Sequence, residues 1–371
     1  MLAIGRARPI DQALDLARAS LTLTAPHPRV GCVLTSPDGQ VIGAGHTQQA
    51  GGPHAEIMAL RDAQARGAPT AGATAWVTLE PCSHHGRTGP CCDALIAAGI
   101  RKVVASVADP NPLVAGQGFA RLRAAGVEVE TGPGAAESRE LNLGFFSRMI
   151  RGTPWVRMKL AASLDGKTAL DNGASQWITS SEARADGHAW RARACALLTG
   201  IGTVRADNPL LDVRLADTPR QPHLVIVDSR LQTPPEARLF GPRRQVLIYT
   251  AVDDPARRAV LEARGATVIR RPDANGTRVD LAVLLRDLAR REVNELHVEA
   301  GYRLNGALVG AGLVDEFLTY LAPKLIGNGR GMADFGPLSD LAQAVALEFR
   351  SVEPVGPDLR LLARVTGRDR F

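Results

Sequence analysis

Apolar positions recur along the chain with two periods that alternate. Residues 30–34 and 41–44 are apolar runs flanking Pro37-Asp38-Gly39, a turn sequence, and predict a hairpin. A helical pattern covers 54–66 and stops at Gly67. Residues 75–79 read as a short strand, 92–98 as a helix closed by Gly99, 103–107 as a strand, 118–125 as a helix closed by Gly126, and 127–129 as a strand. Glycine after each helix suits the left-handed conformation that ends a helix. This alternation predicts an α/β layer fold.

Gly132-Pro133-Gly134, a helix-like segment over 137–149 and Arg151-Gly152-Thr153-Pro154 read as a linker region. They predict a boundary near residue 150 and hence two domains, 1–150 and 151–371. The second unit has expected strands at 156–161, 196–199, 224–227, 246–249, 267–269, 295–298 and 314–321, and helices at 181–194, 255–264 and 280–290. Strand-like segments close it at 345–349 and 359–365. No repeat relates the halves.

Composition narrows the class. At ~150 residues per domain, 371 residues suit two or three domains. With 45% hydrophobic and 22% charged residues, disorder and collagen-like repeats are excluded. A net charge of +6 admits an anionic partner, but only four residues are lysines (Lys102, Lys159, Lys167, Lys324) and the arginines are dispersed, which argues against nucleic acid. No stretch reaches the ~18 uncharged apolar residues of a membrane span, and the first twenty residues mix charges with apolar positions instead of forming a signal-peptide core. The expectation is a cytoplasmic protein with no membrane partner. Of five cysteines, Cys82, Cys91 and Cys92 crowd together, which is metal-site clustering in place of a disulfide framework.

The chemistry concentrates in His54-Ala55-Glu56, followed by Pro81-Cys82 and Cys91. One imidazole and two thiolates would hold a tetrahedral Zn2+ with one position open, where water ionises near neutral pH. Glu56, two residues after His54 at a helix start, would accept the water's proton and deliver it to a departing amine. Helix N-termini would favour thiolates at Cys82 and Cys91. The order matches the zinc-deaminase signature H-x-E then P-C-x-x-C, except that the second thiolate comes nine residues after the first. Singly the pieces are weak, since His-Ala-Glu recurs by chance, Cys91 and Cys92 suit buried thiols, and His84 or His85 would also serve as ligands. Together in one α/β unit they point to catalytic zinc. His84 and His85 read as pocket-lining or surface residues, and Cys32 as core.

Pro53-His54-Ala55-Glu56, the run from Thr78 to Thr88, Cys91-Cys92 and Asp109-Pro110-Asn111-Pro112 resemble the bifunctional riboflavin-biosynthesis deaminase/reductases, and the longer cysteine spacing is that family's own. Past residue 150 the resemblance continues through the run from Lys159 to Lys167, Ser175-Gln176-Trp177-Ile178-Thr179, the run from Thr203 to Pro209 and Glu299-Ala300-Gly301. It implies a cytidine-deaminase-like three-layer N-terminal domain and a dihydrofolate-reductase-like C-terminal domain. It also implies two reactions: hydrolytic deamination of a diaminopyrimidinone ribose 5-phosphate, then NADPH reduction of the ribosyl group to ribityl. At two places the chain departs from the family. His27-Pro28 stands where Asn-Pro is usual, and Thr47, with His46 before it, stands where a His is usual, so contacts bordering the deaminase pocket are expected to differ.

Read on its own, Gly200-Ile201-Gly202 is a partial dinucleotide fingerprint, and Gly301 before a helix-like run from Leu304 supplies a second phosphate-sized turn. Ser229 and Arg230 after the 224–227 strand suit a ribose 2'-phosphate, or form a surface turn. By resemblance, Ala161, Trp177, Thr203, Asp207, Ser229 and the turn of Gly301, Tyr302, Arg303, Leu304, Asn305, Gly306 and Ala307 line the cofactor site, while Ser175, Arg191, Leu211, Arg214 and Glu299 hold substrate. Arg191 and Arg214 suit its phosphate. Asp207 reads either as a proton donor or as a turn cap. A base deaminase acting on nucleic acid would need a basic, aromatic-bearing surface, and only 4% of residues are aromatic. A structural zinc would need a fourth protein ligand and leave Glu56 without purpose. The expected partners are therefore a small pyrimidine ribotide and, by resemblance, further copies of the chain in a homo-oligomer.

Overall fold

The computed structural model describes residues 8–83, 89–112 and 114–371, in two units, Met1–Arg151 and Gly152–Phe371. Unit 1 runs α1 (Pro9–Ala19), β1 (Gly31–Thr35), β2 (Val41–His46), α2 (Ala55–Ala65), β3 (Thr74–Val77), α3 (Cys91–Ala97), β4 (Lys102–Ala105), α4 (Gln117–Ala124), β5 (Glu128–Thr131), α5 (Ala135–Leu141) and α6 (Leu143–Arg151). Its sheet has the order β2-β1-β3-β4-β5. Strand β1 is antiparallel to both neighbours, and β3, β4 and β5 are parallel. Two glycines show why the layers close. A Cβ on Gly31 would lie 1.9 Å from the carbonyl oxygen of Ala13 in α1, and one on Gly43 would lie 2.3 Å from that of Ala59 in α2. The β1–β2 register puts these glycines on opposite faces, so the sheet is sandwiched between helices as three layers.

Two features differ from the sequence reading. Residues 9–19 form α1, because Ile10, Ala13, Leu14 and Ala17 share one buried face while the charged residues lie elsewhere on the helix. Residues 132–149 are not a linker. They belong to unit 1, and the helix expected over 137–149 is broken at Asn142, which leaves helical geometry (φ −119°). Its side chain accepts from the Arg29 N–H (2.8 Å) and donates to the Arg29 carbonyl (3.0 Å), imitating a strand partner.

Unit 2 runs β6 (Trp155–Ser163), β7 (Ala169–Leu170), α7 (Ser181–Arg193), β8 (Ala196–Gly200), α8 (Ile201–Asp207), β9 (His223–Val227), β10 (Val246–Thr250), α9 (Pro255–Glu262), β11 (Ala266–Arg270), α10 (Leu281–Arg290), β12 (Glu295–Val298), α11 (Tyr302–Gly310), β13 (Glu316–Ala322), β14 (Gly329–Arg330), β15 (Leu347–Val355) and β16 (Asp358–Val365). A nine-stranded sheet has the order β11-β10-β9-β8-β12-β6-β13-β16-β15, parallel from β11 to β13 and antiparallel beyond. The continuous apolar runs of β8, β9 and β10 suit a parallel sheet covered on both faces. Strand β12 enters between β8 and β6, so the ends of β8 and β12 meet where strand order reverses, the usual ligand position in open α/β sheets.

Candidate functional site

In unit 1, His54 is the residue just before α2, in extended geometry and with its side chain not used as a cap. Cys91 opens α3, and Cys82 lies in the segment after β3. The three bring one Nδ1 and two Sγ atoms within 4.8 Å of one another. The Cys82 and Cys91 sulfurs are 3.6 and 3.4 Å from His54 Nδ1. Tetrahedral zinc with its ordinary bond lengths would put such atoms ~3.6 Å apart, so the donor set fits that ion in spacing and in softness. The Cys91 N–H points at the Cys82 sulfur (3.4 Å). The Cys91 thiol, His54 and this N–H pull the Cys82 thiol well down, which makes it the thiolate of the pair, while the same contact with Cys82 and burial push Cys91 up. Holding a metal ionises both sulfurs.

Glu56, in the first turn of α2, is buried (3% exposed), and burial raises its carboxyl above the ordinary range. The Cys82 contact raises the His54 imidazole against its own desolvation. Cys32 is core, as its strand position suggests, and Cys92 is buried with its thiol pushed up to about 12 by burial. His84 and His85 lie outside the described residues. The His27 ring lies 6.0 Å from that of His54, whereas the buried Thr47 directs its hydroxyl to the Val30 carbonyl (3.4 Å). Two acidic residues carry more of the site's architecture than their place in the motifs announces. Glu80 accepts from the N–H groups of Asp109, Gly116 and Phe119, pinning the loop after β4. Asp109 on that loop is pushed up to about 7 by burial.

In unit 2 the starts of α8 and α11 lie side by side. Gly200 and Gly301 precede them, neither helix start is capped by a side chain, and a Cβ on Gly301 would sit 3.7 Å from Thr203 Oγ1. Open N–H groups of two adjacent helix starts suit a pyrophosphate, the part of a dinucleotide that such turns hold. Asn305 and Gly306 are buried, while Arg303 and Ala307 are exposed and Tyr302 and Leu304 half-buried. Ala161 lies on β6, and Trp177 is 62% exposed under the Arg184 guanidinium. The Ser229 hydroxyl accepts from the Val279 N–H (3.1 Å) and Arg230 is exposed. Asp207 does not act as a turn cap. Its carboxylate makes no hydrogen bond among the described residues, and Asn208 in left-handed geometry closes α8 and accepts from the Arg238 N–H.

Glu299, just past β12, grips Arg191 of α7 through both carboxylate oxygens. Burial alone would raise Glu299, and Arg191 overrides it and holds the carboxyl well below the ordinary range. His297 approaches the same carboxylate (3.4 Å). Burial lowers the Lys159 ammonium, with Glu299 opposing and Arg191 adding to the shift. Arg191 also donates to the Asp212 carbonyl (2.9 Å), so most of its donors are engaged, whereas Arg214 is half-exposed with one contact to Asp212. Ser175 is half-buried in the segment before Trp177. The Leu211 side chain belongs to the core cluster, so only its backbone is left to meet a ligand. Lys159 stands in the sequence as the first residue of the run to Lys167 with no role attached to it, and His188, whose Nδ1 accepts from the Arg214 N–H, carries no sequence signal at all.

Two family descriptions match the chain: the cytidine and deoxycytidylate deaminase zinc-binding region over residues 7–107, and the RibD C-terminal domain over residues 154–361. The chain is 45% identical over 359 residues to the riboflavin biosynthesis protein RibD of Escherichia coli strain K12, covering 94% of this chain and 96% of that one. It is 40% identical over 366 residues to that of Mycobacterium tuberculosis H37Rv, covering 96% and 98%. Among solved structures, form 1 of Acinetobacter baumannii RibD is similar with a TM-score of 0.86 at 39% identity, covering 96% of this chain and 98% of that one. A diaminohydroxyphosphoribosylaminopyrimidine deaminase/5-amino-6-(5-phosphoribosylamino)uracil reductase from Thermotoga maritima is similar with a TM-score of 0.84 at 32% identity, covering 96% and 97%.

Proposed function

The chain belongs to the RibD family of bifunctional riboflavin-biosynthesis enzymes, and from that premise we propose how its residues divide the two reactions. The enzyme is a zinc-dependent deaminase and an NADPH-dependent reductase. Unit 1, the expected 1–150 domain, acts on 2,5-diamino-6-(5-phosphoribosylamino)pyrimidin-4(3H)-one, and unit 2, the expected 151–371 domain, acts on the resulting 5-amino-6-(5-phosphoribosylamino)uracil.

His54, Cys82 and Cys91 hold the zinc, which when bound makes water nucleophilic near neutral pH. Glu56 takes the proton as the water oxygen adds to the ring carbon, and returns it to the nitrogen that leaves as ammonia. Its burial suits that exchange, since a carboxyl raised above its ordinary range holds an accepted proton more readily until it is passed on. The starts of α8 and α11, with Ala161, Trp177, Thr203, Asp207 and Ser229, hold NADPH, which supplies a hydride. The side chains of Ser175, Arg214 and Glu299 and the backbone of Leu211 orient the ribotide, with Arg191 fixing Glu299 in place as much as meeting the phosphate. The clustering of His54, Cys82 and Cys91 beside buried Glu56 carries this reading. Given the diaminopyrimidinone ribotide, the zinc-loaded protein is expected to release ammonia without NADPH and to consume nicotinamide absorbance only when NADPH is added. No ammonia release would overturn the reading.

Among the described residues no helix is long and apolar enough to cross a membrane. A reducing cytoplasm would keep the metal-site sulfurs as thiols. The outer strand β15 exposes Leu347, Phe349 (70%) and Val352 along an unpaired sheet edge, with Leu341 (91%) before it. Exposed apolar edges are liabilities unless covered, and a second copy of the chain is the proposed cover. Sedimentation is expected to show an oligomer that Phe349→Asp shifts toward monomer. A monomeric parent protein would remove the idea.

A further inference from the structure

Residues 210–214 of unit 2 have no regular secondary structure, yet side chains from elsewhere bind six of their backbone groups. Arg191 binds the Asp212 carbonyl, Gln221 pairs with both the N–H and the carbonyl of Val213, and His188 accepts from the Arg214 N–H. The remaining anchor is Arg244, just before β10. Its guanidinium donates to the carbonyls of both Leu210 and Leu211 and reaches that of Leu239 (3.3 Å).

Two observations mark this anchor as more than packing. Leu211 has φ 50°, a left-handed conformation that a branched residue adopts only when its surroundings impose it. Turning two successive carbonyls toward one guanidinium is such an imposition. Arg244 is also a half-buried cation that rests on carbonyls without a carboxylate contact among the described residues, and burial pulls it down to about 10. Arg191 and Arg214 meet the same segment against the carboxylates of Glu299 and Asp212, and Lys159 lies near the Arg191–Glu299 pair. Four cations facing two anions leave a surplus that a phosphate dianion would match.

We propose that Arg244 is a positioning residue of the reductase site: its planar fork sets the left-handed turn at Leu211, and that turn, with Asp212 orienting the Arg214 guanidinium, aims Arg214 at the phosphate end of the ribotide. The inference rests on the reductase reading given above. Arg244 touches no reacting atom. With the Leu210 and Leu211 carbonyls drawn to Arg244, the Leu211 N–H makes no hydrogen bond among the described residues and stays available to the ligand. Lysine would keep the charge but not the two-pronged geometry.

The test uses the full-length, zinc-loaded protein with Arg244→Gln and Arg244→Lys. Both are expected to raise the reductase KM for the uracil ribotide about tenfold or more, with kcat at saturating ribotide within about threefold, an unchanged Kd for NADPH, and unchanged ammonia release by unit 1. An unaltered KM would overturn the proposal. So would a parallel loss of kcat and NADPH affinity, which marks general damage to the unit, or a lysine variant that behaves as the parent, which makes charge alone sufficient. If the parent protein itself fails to oxidise NADPH with this ribotide, the reductase reading falls and this inference with it, an outcome separable from a variant that matches an active parent.

Discussion

Replacing Glu56 by Gln is expected to slow ammonia release by about a thousandfold while zinc stays at one per chain, because a positioned acid–base group contributes roughly 10²–10⁴ in rate. That factor corresponds to about 4 kcal/mol of lost transition-state stabilisation. The amide keeps the shape of the side chain, which is nearly buried at the start of α2, so the three metal-binding side chains are undisturbed. It removes the proton exchange proposed for the carboxylate. NADPH oxidation with the already deaminated ribotide should be unaffected, since Glu56 belongs to unit 1. Metal analysis paired with an ammonia assay decides the matter. Near-normal release would strip Glu56 of its role, and loss of zinc would show that the carboxylate supports the metal instead.

The second large effect concerns the stability of unit 2. Beneath α7, three guanidinium groups (Arg157, Arg193, Arg364) meet three carboxylates (Glu295, Glu316, Asp369). Glu316 lies between Arg157 (2.6 Å) and Arg364 (2.9 Å), and all three side chains are almost completely buried. Burial by itself would raise the Glu316 carboxyl, and the two arginines hold it below its ordinary value instead. Glu316→Gln leaves one buried positive charge without its counterpart. Breaking a buried pair in this way typically costs about 3–5 kcal/mol. For a unit of this size the thermal midpoint should fall by roughly 6–20 °C. A calorimetric scan that resolves the unit 2 transition should show the drop. A shift of a degree or two would mean that neighbouring groups or water make good the missing charge.

Much of the fold is legible in the residue pattern because its strands and helices bury one face each. The hairpin around Pro37-Asp38-Gly39 and the parallel strands β8, β9 and β10 follow from apolar periodicity and turn residues. Helix α1 is hidden for the converse reason: its charges interrupt the apolar pattern along the chain, and only their distribution around a helix leaves one face apolar. Asn142 breaks the α5–α6 stretch through a bond to Arg29, more than a hundred residues away in the chain, and no local rule anticipates that. Arg191 and Leu211, which the resemblance assigns to substrate, show the same limit. A guanidinium looks free for phosphate until Glu299 is seen to hold it, and a leucine looks like pocket lining until its side chain is found in the core.

The sequence by its motifs already named the donor set that the fold brings together, because imidazole and thiolate groups carry metal affinities that no arrangement can supply to other side chains. It also determined the family, through motifs spread over both units. Packing settles which polar groups are spent on one another and which remain for a ligand: Glu299 on Arg191, Thr47 on Val30, Glu80 on the loop after β4, Arg244 on the turn at Leu211. The physical reason is that hydrogen bonds and charge pairs form between residues remote in the chain, so the availability of a donor is a property of packing and not of its neighbours in sequence.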